Sequence, residues 1–151
     1  MKHILVPTDF SETTGLIMQT LDAWDVKGKV FLLHVLPFDA ALVGDDVEPL
    51  DMPCEKQPQK HRLEQLAQRV RAAGHQVETQ LLMGSTVETI LDQVERCNID
   101  LVVMGSHDHG ALYDLIVGST SEGVLRKATC PVLIVPSHAR QTKEVPHAHP
   151  E

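Results

Sequence analysis

Glycine and hydroxyl side chains are concentrated in one stretch of the chain, residues 105–121. Gly105 follows a short apolar run, Leu101–Met104, and Gly118 precedes the hydroxyl run Ser119–Ser121. Glycine lets a backbone approach a ligand closely, and the first N–H groups of a helix have no partner inside the helix. A buried strand, a glycine-bearing loop and a hydroxyl-rich helix start are the parts of a phosphate cradle. The stretch therefore predicts a phosphate-binding site.

Two helix starts carry the spacing of a capping box, in which a hydroxyl residue is followed three positions later by Glu or Gln. Ser119 and Glu122 match this spacing, and so do Ser85 and Glu88. Each pair predicts a helix that begins at its serine. Ser119 and Thr120 also allow a purely structural interpretation, in which they cap the helix without touching a ligand.

Histidine and aspartate side chains suggest other kinds of chemistry. The segment His107–His109 could supply metal ligands, but adjacent residues rarely point to one centre and no fourth ligand is evident, so no metal site is predicted. For His147 and His149, near the C-terminus, we expect at most weak adventitious metal binding. His34 lies in an apolar run and is interpreted as a hydrogen-bonded core residue. Asp9 could accept a phosphoryl group, but a helix cap is preferred because no partner carboxylates lie beside it.

Composition and charge exclude several classes of protein. The length of 151 residues favours one domain, and 42% hydrophobic with only 3% aromatic residues predicts an aliphatic core. The formal net charge of −8 disfavours nucleic-acid binding, which needs clustered Lys and Arg. No apolar run approaches the roughly 20 residues of a membrane span, and the N-terminal run is too short for a signal peptide. Three widely spaced cysteines give neither a disulfide framework nor a zinc pattern, so a cytoplasmic location is predicted.

Strand and helix patterns alternate along the chain. Short apolar runs predict strands at residues 4–7, 30–36, 101–104 and 131–135, and a partly alternating stretch predicts a strand at 77–82. The first helix is predicted from the spacing of Ile17, Leu21 and Trp24, with Asp9 or Ser11 as its cap. This alternation predicts crossover connections between neighbouring strands.

The later helices and two aperiodic segments complete the pattern. Helical spacing resumes at residue 63 and stops at Gly74, a third helix follows Ser85, and a fourth runs from about 119 to 127. A short helical turn is expected at 112–117. Residues 37–58 show no period and carry prolines and an acidic run, so we expect a mobile excursion. The predicted domain covers residues 1–137, and 138–151 are expected to form a disordered polar tail.

Right-handed crossovers imply a mostly parallel sheet with helices on both faces. Ligands of such sheets bind outside the carboxyl ends of the strands, where the winding direction reverses. The segments that follow those ends include Pro7–Ser11, Gly84–Ser85 and Gly105–Gly110, which are rich in Asp, Ser and Gly. The residues by themselves thus predict an α/β domain that binds a nucleotide or phosphate.

Several motifs resemble those of the universal stress protein family. Ile4–Ser11 reads ILVPTDFS, Leu33–Val35 reads LHV, and Met104–His107 reads MGSH ahead of Gly118-Ser119. The resemblance covers about residues 2–136, in matching order and spacing. It implies a single-domain, Rossmann-like (flavodoxin-like) α/β fold with five parallel strands in the order 3-2-1-4-5, helices on both faces, and usually a dimer.

One branch of that family binds ATP through the pattern Gly, two residues, Gly, nine residues, Gly, and Ser or Thr. Transferred to this chain, the resemblance implies that Asp9 and Val35 hold the adenine, with Pro7 and Thr8 at the same end of the cleft. Met104 would lie against the adenosine. The remaining implied nucleotide-binding residues, around the ribose and phosphates, are Gly105, Gly118, Ser119 and Thr120, together with the loop residues His107, Asp108 and Gly110.

The chain departs from that pattern at Asp108, where the second glycine is expected. Aspartate tolerates a left-handed backbone better than most residues, and Gly110 could supply part of the lost freedom. A carboxylate about 4 Å from a phosphate charge is opposed by roughly 4 kcal/mol at an effective dielectric constant near 20. Asp108 could point away, Mg²⁺ could bridge it to the phosphates, or the ligand could carry fewer phosphates.

The sequence therefore predicts a stress-response protein that binds ATP, ADP or AMP, with or without Mg²⁺, as a sensor or switch with little or no turnover. Phosphoryl transfer needs charge stabilisation and a positioned nucleophile, and the loop lacks a Walker-type ending, so no catalytic residue is assigned. Nucleotide binding would order the loops at 105–120 and 37–58 and change a surface that a partner reads.

Two other functions stay open. One is a non-nucleotide-binding dimeric interaction module of the same family, which Asp108 favours. The other is an enzyme related to nucleotide α-hydrolases, such as an ATP pyrophosphatase, although such enzymes carry a Ser-Gly-Gly loop where this chain has Thr8–Ser11. Pro131–Val135 should be an apolar edge strand, and unprotected edges pair with another chain. A homodimer through antiparallel pairing of this strand is predicted, and no nucleic-acid or membrane partner is expected.

Overall fold

Five parallel strands form one sheet that is covered by helices on both faces. The computed structural model describes residues 2–37, 56–106 and 118–136. The strands are β1 His3–Pro7, β2 Lys29–Pro37, β3 Gln76–Gly84, β4 Leu101–Ser106 and β5 Val132–Pro136. The helices of the described ranges are α1 Thr13–Ala23, α2 Lys56–Ala72, α3 Thr86–Arg96 and α4 Ser119–Lys127. The sheet order β3-β2-β1-β4-β5 confirms the expected topology.

The winding direction of the sheet reverses at β1. The chain moves from β1 to β2 and β3 on one side, and then crosses back so that β4 pairs with the other side of β1. The β1–β2 register runs from His3 opposite Lys29 to Pro7 opposite Leu33, and the β1–β4 register places Ile4 opposite Leu101. A crevice is therefore expected outside the carboxyl ends of β1 and β4.

Alternate residues of the central strands pack against different helices. Val6 belongs to a buried cluster with Ile17 of α1, on the face that also holds α2. Leu5 belongs to the opposite cluster, with Ile90 of α3 and Val124 of α4. Both faces of the sheet are thus buried, which explains why its central strands are continuous apolar runs. Among the described residues, Phe31 is the one buried aromatic side chain, as the composition suggested.

The Asp100 carboxylate joins the amino ends of β1 and β4. The Asp100 carboxylate accepts hydrogen bonds from the backbone N–H groups of Lys2 and His3, at 2.8 and 2.9 Å. These two bonds hold the pKa of the Asp100 carboxyl below its ordinary value. The Asp100 N–H in turn donates to the His3 carbonyl at 2.9 Å. The start of β1 is thereby tied to the residue that precedes β4.

The start and end of α1 differ from the sequence prediction. Its N-cap residue is Glu12, and no side chain makes a capping hydrogen bond. Asp9 instead accepts a hydrogen bond from the Ser11 N–H at 2.9 Å, so it closes the turn that precedes the helix. The helix ends at Ala23, and Trp24 is 63% exposed. Trp24, whose spacing helped to predict the helix, is therefore its C-cap residue and not part of its buried face.

The two predicted capping boxes do not form their hydrogen bonds. At α4, the N-cap is Gly118 and Ser119 is the first helical residue. Glu122 binds Arg126 one turn later, at 2.7 Å, and does not reach back to the helix start. At α3, Ser85 is the N-cap, but its side chain makes no capping bond. The helix positions were predicted correctly, whereas the capping contacts were wrong.

Several predictions fall partly or wholly outside the described residues. The aperiodic segment was expected to extend to residue 58, but α2 already begins at Lys56. Residues 38–55, the helical turn at 112–117 and the tail at 138–151 lie outside the described residues. In the ranges that are described, no helix is long and apolar enough to cross a bilayer. The two cysteines there, Cys97 and Cys130, are free thiols, and burial raises the pKa of the Cys130 thiol.

Candidate functional site

A cleft of about 240 Å³ opens at the carboxyl edge of the sheet. The ends of β1, β2 and β4 and the first turns of α1, α3 and α4 provide its walls. It lies where the winding direction of the sheet reverses, which is the usual ligand position in open α/β folds. We therefore take this cleft as the candidate functional site.

The cleft brings together most of the residues that the sequence nominated. Its lining includes Pro7, Thr8, Asp9, Val35, Met104, Gly105 and Thr120. Gly118 and Ser119 are not among the lining residues, although they directly precede Thr120. The other three nominated residues, His107, Asp108 and Gly110, lie outside the described residues.

Thr8 anchors the turn between β1 and α1. Its backbone N–H donates to the Leu33 carbonyl at 2.8 Å, which continues the β1–β2 pairing by one residue. Its hydroxyl shares a hydrogen bond of 2.8 Å with the Thr14 hydroxyl and accepts one of 3.0 Å from the Phe10 N–H. Because Thr8 is buried, these bonds fix the direction in which the chain leaves β1.

The next residues form a tight turn with a strained backbone. Phe10 has a φ of 65°, a left-handed conformation that costs a non-glycine residue about 1–3 kcal/mol. The hydrogen bond from the Ser11 N–H to the Asp9 carboxylate stabilises this turn. The turn presents Asp9 at the mouth of the cleft, where its side chain is exposed.

His34 is part of the cleft as well as of the packed interior. Its Nδ1 lies 2.7 Å from the Thr8 carbonyl oxygen, and its ring packs on the Phe10 ring with 4.4 Å between centroids. Because a carbonyl oxygen can only accept a hydrogen bond, His34 Nδ1 must be the donor. In the neutral imidazole, Nε2 is then the nitrogen that can accept a hydrogen bond. The predicted hydrogen bond is confirmed, but His34 also lines the cleft, which the sequence did not suggest. The sequence did contain one indication that His34 lines the cleft, namely its position near the carboxyl end of a predicted strand.

Gly105 of β4 lies directly against Thr13 of α1. A Cβ at this position would overlap the Thr13 methyl group and would lie 3.1 Å from the Thr13 Cβ. On the other side, the Ser121 hydroxyl donates to the Gly105 carbonyl at 3.0 Å. The absence of a side chain at Gly105 is therefore required by helix packing, independently of any ligand.

Hydroxyl side chains dominate the walls of the cleft. In addition to the nominated threonines, the lining contains Ser11, Thr13, Thr14, Thr86 and Ser121. Ser11 and Ser121 lie in stretches that the sequence had marked for ligand binding. Thr13, Thr14 and Thr86 were missed as site residues, because they lie in the first turns of helices and resemble ordinary helix-start residues.

The charge of the cleft limits what it can do. Its described lining contains the carboxylate of Asp9 but no Lys or Arg. Among the described residues, no group of three or more His, Cys, Asp or Glu side chains could hold a metal ion. This lining offers hydrogen bonds to a ligand but no fixed cation that could stabilise a phosphoryl transition state.

Comparison with known proteins gives one family. Residues 1–136 match the family model of the universal stress protein family. Universal stress protein MJ0577 of Methanocaldococcus jannaschii is 28% identical over 152 residues, which cover 89% of this chain and 94% of that protein. A solved structure of MJ0577 aligns with a TM-score of 0.74 at 29% identity, covering 91% of this chain and 97% of that one.

Two more distant structures share the fold. A universal stress protein in complex with cAMP aligns with a TM-score of 0.68 at 19% identity, covering 91% of this chain and 98% of that one. A universal stress protein from Archaeoglobus fulgidus in complex with dAMP aligns with a TM-score of 0.61 at 20% identity, covering 89% and 97%.

Proposed function

Because the chain belongs to the universal stress protein family, we propose that it binds an adenine nucleotide in the cleft and acts as a stress-response sensor or switch with little or no turnover. The observation that carries this proposal is the cleft itself. It combines a carboxylate at one end, an apolar floor around Met104, and hydroxyl groups at the start of α4. The carboxylate can bind the amino group of a base, the apolar floor can lie against the nucleoside, and the hydroxyl groups can bind a phosphate.

At the base-binding end, Asp9 and Val35 hold the adenine. The Asp9 carboxylate accepts a hydrogen bond from the adenine amino group, and Val35 provides backbone and apolar contact. Pro7 and Thr8 close this end of the cleft. The fixed turn beneath Asp9 supports this assignment, since the hydrogen bonds of Thr8 hold it in place before a ligand arrives.

At the phosphate-binding end, Gly105, Gly118, Ser119 and Thr120 surround the ribose and phosphates. Gly118 accepts the first helical hydrogen bond of α4, from the Glu122 N–H at 2.9 Å. The N–H groups of the first residues of α4 consequently have no partner within the helix, and they favour an anion. His107, Asp108 and Gly110 complete the proposed site from the adjoining loop, on the basis of the family resemblance.

The number of phosphates on the ligand is expected to be small unless a divalent cation is present. No Lys or Arg of the described residues lines the cleft, and Asp108 adds negative charge to the loop sequence. The two structural neighbours noted above hold cAMP and dAMP, each of which carries one phosphate. We propose AMP, or ATP together with Mg²⁺, as the ligand.

Calorimetric titration of AMP and ATP, each with and without Mg²⁺, tests this function. Wild type is expected to bind AMP without Mg²⁺ and ATP only with it. Asp108→Gly is expected to strengthen Mg²⁺-free ATP binding at least tenfold, because a repulsion of up to roughly 4 kcal/mol is removed. If only the variant bound nucleotide, the chain would be a non-nucleotide-binding interaction module, the function that Asp108 favours. If neither protein bound, the nucleotide proposal would be wrong.

Asp9 variants test the adenine contact separately. Asp9→Ala removes the acceptor, and AMP affinity is expected to fall about 10- to 100-fold, the usual effect of losing a hydrogen bond to a charged group. IMP lacks the amino group, so wild type should prefer AMP over IMP and Asp9→Ala should bind both equally. Asp9→Asn retains an oxygen that can accept from the Ser11 N–H, and it is the control for loss of the turn. An AMP preference that survives in Asp9→Ala would contradict the assigned contact.

The proposal also includes a cytoplasmic location and a homodimer through Pro131–Val135. The free thiols of Cys97 and Cys130 are in keeping with a reducing compartment. The position of β5 at the end of the sheet supports the dimer.

A further inference from the structure

A second groove, of about 560 Å³, lies on the outer surface between α1 and α2. Its floor contains Phe10, Met18 and Leu66, which pack against the core cluster yet remain partly exposed. Side chains of this kind present apolar area to a partner without destabilising the free protein. The groove borders the turn between β1 and α1, because its lining includes Phe10, Ser11 and Glu12.

Two exposed arginines border this groove. Arg62 and Arg69 are exposed and lie seven residues apart on α2, a separation of about 10 Å along the helix. Neither forms an ion pair with a carboxylate of the described ranges. The other three arginines in those ranges each do, and they are Arg71, Arg96 and Arg126. Glu12 is the one acidic residue of the lining, so the groove is locally basic on a protein of net charge −8.

The first of these arginines is held in place. The Arg62 guanidinium lies over the Phe10 ring, 4.6 Å from its centroid, and the Phe10 ring also packs on the His34 ring. A stacked guanidinium keeps its N–H donors in its own plane and free to bind a carboxylate. The left-handed backbone at Phe10 is part of what places the ring there. Arg62 is therefore a positioned cation at the edge of an apolar floor.

We propose that this groove docks an acidic amphipathic helix of a partner protein. The apolar face of that helix covers Phe10, Met18 and Leu66, and two carboxylates about two turns apart bind Arg62 and Arg69. A nucleic acid would be repelled by the net charge of −8. A second copy of this chain related by a two-fold axis through the groove would bring the same arginines against each other, which is unfavourable.

The groove and the cleft share two residues, Ser11 and Thr14, which line both. A helix in the groove would thus lie against the turn that presents Asp9. The docking proposal does not depend on nucleotide binding, so it is tested on the nucleotide-free protein and can fail independently of the proposed function.

The test is a selection from phage-displayed random 16-residue peptides on the immobilised full chain, followed by fluorescence anisotropy with the synthetic peptides. The selected peptides are expected to carry two acidic residues about seven positions apart with apolar residues between them. Their affinity is expected to fall at least tenfold on Arg62→Glu/Arg69→Glu, and with rising salt. The matched control Arg96→Glu/Arg126→Glu makes the same charge change on α3 and α4 and should bind as wild type does.

A single variant, Arg69→Glu, leaves the Arg62–Phe10 contact intact and should still weaken binding about threefold or more. Peptides with arginine in place of both acidic residues should regain binding to the double variant. The proposal is overturned if no peptide is enriched, if enriched peptides lack acidic residues, or if the control variant loses affinity equally. It is also overturned if Arg62→Glu/Arg69→Glu binds the selected peptides as tightly as wild type does. A change in the oligomeric mass of this variant in solution would overturn it too, because the groove would then be a self-association surface.

Discussion

Ile134→Pro is expected to be a folded monomer, whereas Val135→Pro is expected to lose stability. The reason is the register of β5 on β4. The Val102 N–H donates to the Pro131 carbonyl at 3.0 Å, with Val102 opposite Val132. In a parallel ladder, successive residues of a strand direct their backbone groups to opposite sides. Val135 therefore points its N–H towards β4, and Ile134 points its own towards the open edge.

The proposed dimer needs that open edge. In the described part of the chain, β5 pairs only with β4, and its sequence from Val132 to Val135 is apolar and uncharged. Such an edge pairs readily with another strand. Proline at 134 deletes an N–H that antiparallel pairing would use, while the hydrogen bonds to β4 remain.

Light scattering after size-exclusion chromatography measures the outcome. Wild type should have the mass of a dimer and Ile134→Pro about half of it, with an unchanged circular dichroism spectrum. Val135→Pro is the control for damage to the sheet, and its melting temperature should fall because it loses a bond to Met104. A dimer that persists in Ile134→Pro, or a monomeric wild type, would contradict assembly through β5.

The fold could be predicted because both faces of the sheet are buried. The central strands appear in the sequence as apolar runs, while the edge strand β3 alternates in part. Helices with periodic apolar positions separate the strands, a pattern that fits few architectures. The strand order came from the family resemblance, because periodicity alone does not show which strands are neighbours in the sheet. The core residues Ile17 and Leu21 were likewise evident from helical spacing, and both are buried.

The details that failed depend on contacts that local sequence does not encode. Trp24 has the correct spacing for a buried stripe, but α1 ends one residue before it. Ser119 has the spacing of a cap, but Gly118 occupies that position. The apolar sequence around His34 is that of a buried core histidine. His34 lines the cleft because the pairing of β1 with β2 brings it beside Thr8. Tertiary placement decided each of these cases.

Gly105→Ala is expected to lower the free energy of unfolding by about 2 kcal/mol, although alanine is ordinarily favoured over glycine inside a strand. The new Cβ would overlap the Thr13 methyl group, and Thr13 is buried and has little room to move. Urea denaturation measures the change. Gly15→Ala, on α1, is the matched control, because a Cβ there would meet nothing within 4 Å. That variant should be neutral or more stable by up to about 1 kcal/mol.

Thr13→Ser in the Gly105→Ala background should restore most of the lost stability. Serine removes the overlapping methyl group and keeps the hydroxyl at the cleft wall. On its own, Thr13→Ser should cost about 1 kcal/mol for one buried methyl group. The two changes should therefore be less harmful together than their sum, with a coupling energy of about 2 kcal/mol or more. Strict additivity would show that the close approach of Gly105 to Thr13 is not what excludes a side chain.

The same double variant separates the two roles that Gly105 can have. The sequence assigned Gly105 to ligand approach, and the structure adds its contact with α1. If Gly105→Ala/Thr13→Ser folds as wild type does and binds AMP equally well, helix packing is the whole reason for the glycine. If it folds but binds AMP at least tenfold more weakly, the backbone at 105 also approaches the ligand, as the proposed site requires.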